Sequence, residues 1–115
     1  MNVVSKKSPL KHYGWGNNCD GWNLVDAPGL SVKVEKMPPH TSEQKHVHQF
    51  AQQFFYILNG AAVFEIEGER IYVKAEQGIH IAAGKSHRII NEGSEDLEFI
   101  LTSQPSTAND RTNIE

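Results

Sequence analysis

Two histidines separated by one residue, His46 and His48, are the clearest chemical feature of the sequence. In an extended strand both imidazoles point to the same face, about 7 Å apart along the chain. A third histidine, His87, follows on or at the start of another predicted strand. Histidine is the commonest metal ligand, and three imidazoles suit Zn, Fe, Ni, Cu or Mn. The spacing alone leaves a pair of surface histidines as a second interpretation, because a metal site needs a third ligand.

The residues around these histidines form two gapped motifs. The first is His46-Val47-His48, four residues, Gln53, six residues and Gly60, and the second is Ala82-Ala83-Gly84, two residues, His87, three residues and Asn91. Together they resemble the two signature motifs of the cupin superfamily, which are His-x-His, three or four residues, Glu, six residues, Gly, and then Pro-x-Gly, two residues, His, three residues, Asn. The resemblance is densest over residues 38–91, extends from about 22 to 105, and indicates a small single-domain cupin. It is specific for the fold and much less specific for activity.

The resemblance implies an all-β, single-domain antiparallel jelly-roll β-barrel of six to eight strands, with an open mouth and a metal ion near its centre. His46, His48 and His87 take the family's three histidine-ligand positions, and Gln53 falls where the family has a carboxylate ligand. The implied cofactor is a divalent transition metal. The implied partner is a small-molecule ligand or substrate in the barrel. A homodimer is expected, because similar small cupins pair through edge strands.

Three positions depart from the family pattern. His40 and Ala82 stand where glycine and proline are usual, and Gln53 replaces glutamate. Since glutamine offers only a neutral carbonyl oxygen, the site would keep the full charge of a divalent ion. That charge favours Zn, Fe(II), Ni or Cu over the harder Mn, and it leaves coordination positions open, as a catalytic or sensing site requires. A second interpretation is a glutamine that only forms hydrogen bonds in a barrel without metal.

The neighbouring Gln52 is an alternative fourth ligand, because the register of the motif is uncertain by one residue. We choose Gln53 since it preserves the six-residue spacing to Gly60. Alternation along the strand then turns Phe55 and Ile57 to the barrel interior as well.

The segments that must position these residues are short, rich in β-branched and aromatic residues, and separated by turn residues. This texture predicts an antiparallel sandwich or barrel. The predicted strands cover residues 22–25, 30–37, 53–58, 61–67, 70–73, 78–82, 87–91 and 97–102. In the second of them, Leu30, Val32 and Val34 share one parity. The expected organisation is an irregular N-terminal arm over 1–21, the barrel over 22–105 and a flexible C-terminal tail over 106–115.

Composition excludes several classes of protein. The 115 residues fit one domain, and a net charge of −3 without a basic stripe argues against nucleic-acid binding. No apolar run approaches the roughly 20 residues of a membrane span, and no apolar segment follows the N-terminal lysines as in a secretory signal. With Cys19 as the only cysteine, the chain is expected to be cytoplasmic.

Few other residues carry a chemical signal. His80 is placed at the surface or in a structural role in preference to a fourth ligand, and the Trp15–Trp22 arm is either a lid or a packing element. No residue stands out as a general base. The sequence therefore favours a small metalloenzyme of the dioxygenase or isomerase type over two alternatives, a non-catalytic module that binds or senses a small ligand and a storage or structural cupin.

Overall fold

The computed structural model describes residues 2–114, and these contain strands and no helix, so none of them forms a helix that could cross a membrane. The strands are β1 Lys11–Trp15, β2 Cys19–Ala27, β3 Leu30–Met37, β4 Thr41–Ser42, β5 His46–Val47, β6 Gln52–Asn59, β7 Ala61–Ile66, β8 Glu69–Lys74, β9 Gly78–Ile81, β10 His87–Asn91, β11 Leu97–Gln104 and β12 Thr112–Asn113.

The strands form two antiparallel sheets that face each other across the core. One sheet has the order β1-β2-β3-β11-β6-β9, and the other has the order β12-β5-β10-β7-β8, with β4 also pairing with β10. Neighbours in each sheet are mostly distant in sequence, because the chain passes back and forth between the sheets as a jelly roll does. The predicted all-β jelly-roll barrel is confirmed.

The inner faces of β3, β6 and β11 change from apolar to polar along the barrel. At one end Met37 pairs with Leu97, and both side chains are fully buried. At the other end Ser103 lies between Ser31 on β3 and Gln53 on β6, and all three are buried. The apolar end forms the packed core, and the polar end borders a cavity.

The N-terminal segment, for which an irregular arm over 1–21 was expected, contains a strand over Lys11–Trp15. Strand β1 pairs with β2 in register, with Tyr13 opposite Gly21, and β2 begins at Cys19. The ring of Tyr13 lies over the bare backbone of Gly21, where an added Cβ would come within 2.1 Å of the Tyr13 Cζ atom. Glycines such as Gly21 resemble loop residues in the sequence, but this one makes room for an aromatic ring.

The C-terminal segment, for which a flexible tail over 106–115 was expected, contains a short strand. Strand β12 pairs with β5, with Thr112 opposite Val47 and Asn113 opposite His46. The carboxylate of Asp110 accepts hydrogen bonds from three consecutive backbone amides, those of residues 49–51. The last residues of the described chain are therefore attached to the barrel beside the histidine pair.

Candidate metal centre

The three motif histidines come from two adjacent strands at the polar end of the barrel. His46 begins β5 and pairs directly with His87, which is the first residue of β10. His48 follows one residue after β5 and lies on the same side as His46, because alternate residues of extended backbone share a face. The relative exposure of the three side chains is 2% for His46, 4% for His48 and 1% for His87.

The three rings converge on one point. One ligand nitrogen from each of the three histidines lies within 4.8 Å of the other two. The ring centroids are 4.8 Å apart for His46 and His48, 4.4 Å for His46 and His87, and 5.7 Å for His48 and His87. This group is therefore able to hold a metal ion.

Hydrogen bonds at Nδ1 fix the orientation of every ring. The Nδ1–H of His46 donates to the carbonyl of Gln44 at 2.8 Å, that of His48 to the carbonyl of Asp110 at 2.7 Å, and that of His87 to the carbonyl of Lys85 at 3.0 Å. A carbonyl can only accept, so the proton of each neutral ring sits on Nδ1. The lone pair of each Nε2 is then left to a metal.

Gln53 lies beside the histidines, and Gln52 does not. The Gln53 Oε1 atom is 3.0 Å from the His87 Nε2 atom, and the Gln53 amide nitrogen donates to the hydroxyl of Ser103. Gln52 is exposed on the outer face, where it bonds to Gln104 and His80. The sequence-based choice of register thus corresponds to the side chain that faces the cluster.

The contact between Gln53 and His87 brings two acceptors together. With the His87 proton on Nδ1, both Oε1 and Nε2 present lone pairs across 3.0 Å. A cation held between the two atoms would satisfy both lone pairs. Without a cation, the amide must turn its NH₂ group toward His87 instead.

The electrostatic environment keeps the imidazoles neutral. Burial lowers the pKa of His46 to about 3, and the positive charge of Arg111 acts in the same direction. Burial also lowers the pKa of His48 and His87, and for His48 the charges of Arg111 and Lys33 contribute further. Near pH 7 the Nε2 atoms are therefore unprotonated, as metal binding requires.

The cluster borders a cavity of about 190 Å³ whose walls carry charged side chains that the sequence analysis did not select. They are Lys33 and Glu35 from β3, Glu43 from the segment after β4, and Arg111 from the C-terminal segment. Lys33 and Glu35 alternate with Val32 and Val34 along β3. The sequence therefore shows that they share a face, but charged residues on one face of a strand are typical of the side turned to solvent. No local sequence pattern around Arg111 predicts that it lines the cavity.

Glu43 is the acidic group nearest to the histidines among the described residues. Its Oε2 atom is 3.9 Å from the His46 Nε2 atom and 3.3 Å from a guanidinium nitrogen of Arg111. Burial raises the pKa of Glu43 to about 7, although the charge of Arg111 works in the opposite direction. A carboxyl group with this pKa can both hold and release a proton near neutral pH.

A second acidic group, Glu35, is held by the N-terminal hairpin. The hydroxyl of Tyr13 donates a hydrogen bond of 2.5 Å to Glu35, whose relative exposure is 8%. Burial raises the pKa of both side chains. The hairpin that the sequence presented as an arm therefore contributes a phenol to the edge of the cavity.

The remaining residues singled out from the sequence lie away from the histidine cluster. His80 is exposed and contacts Gln52 on the outer face. Trp15 packs against the core and donates to the carbonyl of Asp20, while Trp22 stacks on His12 with ring centroids 5.1 Å apart. Of the two interpretations of this arm, the structure shows packing.

Fold and site together define a class, the small β-barrel proteins with a buried three-histidine group able to hold a metal ion. The sequence matches the Cupin domain family over residues 33–103. The chain belongs to the cupin family.

Curated relatives resemble part of the chain. An oxalate-binding protein of Thermotoga maritima is 38% identical over 65 residues, which cover 56% of this chain and 54% of that protein. The tetracenomycin polyketide synthase protein TcmJ of Streptomyces glaucescens is 24% identical over 70 residues, which cover 61% of this chain and 47% of that protein. The chain thus aligns with about half the length of these relatives.

Solved structures share the fold at low sequence identity. A predicted oxalate decarboxylase of Thermotoga maritima superimposes with a TM-score of 0.81 at 24% identity, covering 91% of this chain and 100% of its own. KdgF from Halomonas sp. gives a TM-score of 0.83 at 16% identity, covering 94% of this chain and 98% of its own. These likenesses support the architecture alone.

Proposed function

We propose that the protein is a metalloprotein in which His46, His48, His87 and Gln53 hold one divalent transition metal. The observation that carries this proposal is the set of three Nδ1–H bonds to backbone carbonyls, which leaves the Nε2 lone pairs of three buried and neighbouring rings free for a metal. The fourth proposed donor, Gln53 Oε1, lies 3.0 Å from the His87 Nε2 atom.

The donor set favours certain metals. Three imidazoles and one amide oxygen are all neutral, so a bound ion keeps its full charge, which suits Zn, Fe(II), Ni or Cu better than Mn. When bound, such an ion supplies Lewis acidity or, for iron, nickel, copper and manganese, redox chemistry toward a small organic molecule.

We further propose an enzyme, of the dioxygenase or isomerase type, because the cavity combines the metal donors with groups able to move protons. Glu43 lies 3.9 Å from His46 and has a pKa of about 7. Glu35 is held by the phenol of Tyr13. A site that only stores metal needs neither of these acid–base groups.

A non-catalytic module that binds a small ligand is the second candidate. The relative that is 38% identical over 65 residues is named for oxalate binding and not for a reaction. The cavity volume of about 190 Å³ suits a small molecule under either candidate. It is smaller than the about 300–1,000 Å³ of the pockets that hold drug-sized ligands.

Elemental analysis of protein purified without added metal tests the site. We expect about one equivalent of transition metal in the unaltered protein and less than a tenth of that in a His46→Ala/His87→Ala double variant that still shows a cooperative unfolding transition. The exposed His80→Ala variant is the matched control and should keep its metal. A double variant with full metal content would contradict the assignment.

The role of Gln53 has its own test. Gln53→Glu adds a negative oxygen at the proposed fourth ligand, so binding of Mn²⁺ should tighten relative to Zn²⁺, by about tenfold in the ratio of dissociation constants measured by competition with a chelator. Gln52→Glu, on the outer face, is the control. An unchanged ratio for Gln53→Glu would show that this side chain does not ligate the metal.

The cytoplasmic location stays a prediction.

We also propose that the protein forms a homodimer. The outer face of β6 exposes Phe54 by 44% and Leu58 by 41%, and Phe54 stacks on Tyr56 with centroids 6.5 Å apart. Apolar side chains adjacent on one exposed strand suit burial against a second copy. Sedimentation at micromolar concentration should give twice the mass of the chain, and Phe54→Glu should give the monomer.

A further inference from the structure

We propose that Lys33 binds a carboxylate group inside the metal cavity, so that the small molecule of this protein is an organic acid. This inference rests on the proposed function, since it names the ligand class of the same site. It assigns to one side chain on β3 the task of discriminating acids from neutral molecules.

Lys33 is a cation in an unusual place. It belongs to the inward parity of β3, with Ser31 and Glu35, and it lines the same cavity as His46 and His48. Lysine is rarely turned into a barrel without a partner, because desolvation of an ammonium group is costly. Among residues 2–114 no carboxylate oxygen lies within 4.0 Å of the Lys33 Nζ atom.

The other charged groups of the cavity are already engaged. Arg111 contacts Glu43 at 3.3 Å, the carbonyl of Gln44 at 3.4 Å and the side chain of Asn113 at 2.9 Å. The hydroxyl of Tyr13 donates to Glu35. Lys33 forms no hydrogen bond to these groups: its charge acts to lower the pKa of Glu35, and its Nζ atom lies 5.7 Å from the centroid of the Tyr13 ring. It is the cation left for a ligand.

The overall charge also calls for an anion. Two cationic and two acidic side chains line the cavity, so their net charge is zero when both acids are ionised and positive otherwise. A divalent ion held by neutral imidazoles and an amide then leaves an excess of about two positive charges. Beside the buried histidines, that excess is best balanced by a carboxylate or a dicarboxylate.

The positions of Lys33 and Gln53 define the size of the ligand. Lys33 pairs with Leu101, and Leu101 pairs with Phe55, one inward position away from Gln53. Strand β11 separates β3 from β6, so the two backbones are about 10 Å apart. A small acid fits between the two side chains, with one end at the metal donors and a carboxylate at the ammonium group.

The test is titration calorimetry on protein loaded with one equivalent of Ni²⁺, with the metal content measured for every sample. The probes are acetate, oxalate and malonate, with acetamide as the neutral isostere. Lys33→Gln removes the cation. Lys36→Gln is the matched control, because Lys36 is on the same strand with the opposite parity and pairs with Asp96 at 3.4 Å.

We expect at least one acid to bind to the unaltered protein and acetamide not to bind. Lys33→Gln should weaken the acid at least tenfold with unchanged nickel content, and Lys36→Gln should stay within twofold. Full nickel loading with no acid binding, or with equal binding in Lys33→Gln, overturns the inference and leaves the metal site intact. Failure of the unaltered protein to retain Ni²⁺, and equally Zn²⁺, Fe²⁺ or Cu²⁺ offered in its place, overturns the inference and the proposed function together.

Discussion

Replacement of Asp110 by alanine should weaken both the fold and the proposed metal site, although Asp110 is not one of the proposed ligands. Its carboxylate accepts hydrogen bonds from the amides of Gln49 at 2.9 Å, Phe50 at 3.1 Å and Ala51 at 2.9 Å. Burial acts to raise the pKa of Asp110, but these three hydrogen bonds outweigh it and lower the pKa. The same residue's carbonyl accepts the Nδ1–H of His48 at 2.7 Å.

The size of the effect follows from these contacts. A hydrogen bond to a charged acceptor contributes about 1.5–3 kcal/mol when shielded, and water replaces much of it at a partly exposed group such as Asp110. We therefore expect a total loss of about 2 kcal/mol for the three amides together. An unfolding entropy of about 2.1 cal/mol/K per residue over 115 residues converts this loss into a fall in Tm of about 8 °C.

Metal affinity should fall as well, by about tenfold or more. The carbonyl that orients His48 stays in the variant, but the loop that carries it is no longer tied to residues 49–51, and groups that orient metal-ligating histidines typically contribute tenfold to a hundredfold in affinity. Scanning calorimetry of the metal-free protein and chelator competition with Zn²⁺ measure the two effects. Asp26→Ala, an exposed carboxylate on β2, is the control.

An Asp110→Ala variant with Tm within about 2 °C of the unaltered protein and the same Zn²⁺ affinity would refute the reasoning. It would show that the C-terminal segment lies on the barrel without supporting the histidine cluster. A fall in Tm with unchanged affinity would restrict the role of Asp110 to the fold.

Two further predictions concern the N-terminal hairpin and the histidines. Gly21→Ala places a Cβ within 2.1 Å of the Tyr13 ring and should lower the free energy of unfolding by about 1–3 kcal/mol, measured in urea, while Gly29→Ala, with no atom within 4 Å, should change little. Burial lowers the pKa of His46 to about 3, so the unfolded chain binds a proton that the folded chain does not as pH falls below about 6.5. Metal-free stability should therefore be full above that pH and decrease toward pH 3. Because Glu43, with a raised pKa, acts in the opposite direction, a His46→Asn variant must show a weaker decrease, and an equal one would contradict the assignment.

The fold was largely accessible from the sequence. Alternating β-branched and aromatic residues between turn residues locate most strands, and the choice of Gln53 over Gln52 correctly turns Phe55 and Ile57 inward, where their exposure is 2% and 0%. The hairpin of β1 and β2 was not visible, because its glycines resemble a loop. The requirement for glycine at position 21 arises from a tertiary contact, because the ring of Tyr13 on the partner strand packs over it.

Strand β3 shows what alternation leaves open. In β3, Leu30, Val32 and Val34 share a parity, yet the residues that face the barrel are Ser31, Lys33, Glu35 and Met37. A two-residue period states which side chains share a face, but not which face turns inward, because that choice is made by the sheet packed opposite.

The histidine group itself was determined by sequence, since a spacing of two residues within a strand fixes a shared face and the two motifs supply the third ring. Only the tertiary structure decided what surrounds it. Arg111 and Asp110 reach His46 and His48 from the far end of the chain through the pairing of β12 with β5. No local pattern encodes such contacts. The assembled barrel, and not the motif, therefore decides the charge balance of the site and the position of the proton on each ring. It also decides that the ammonium group of Lys33 has no ion-pair partner.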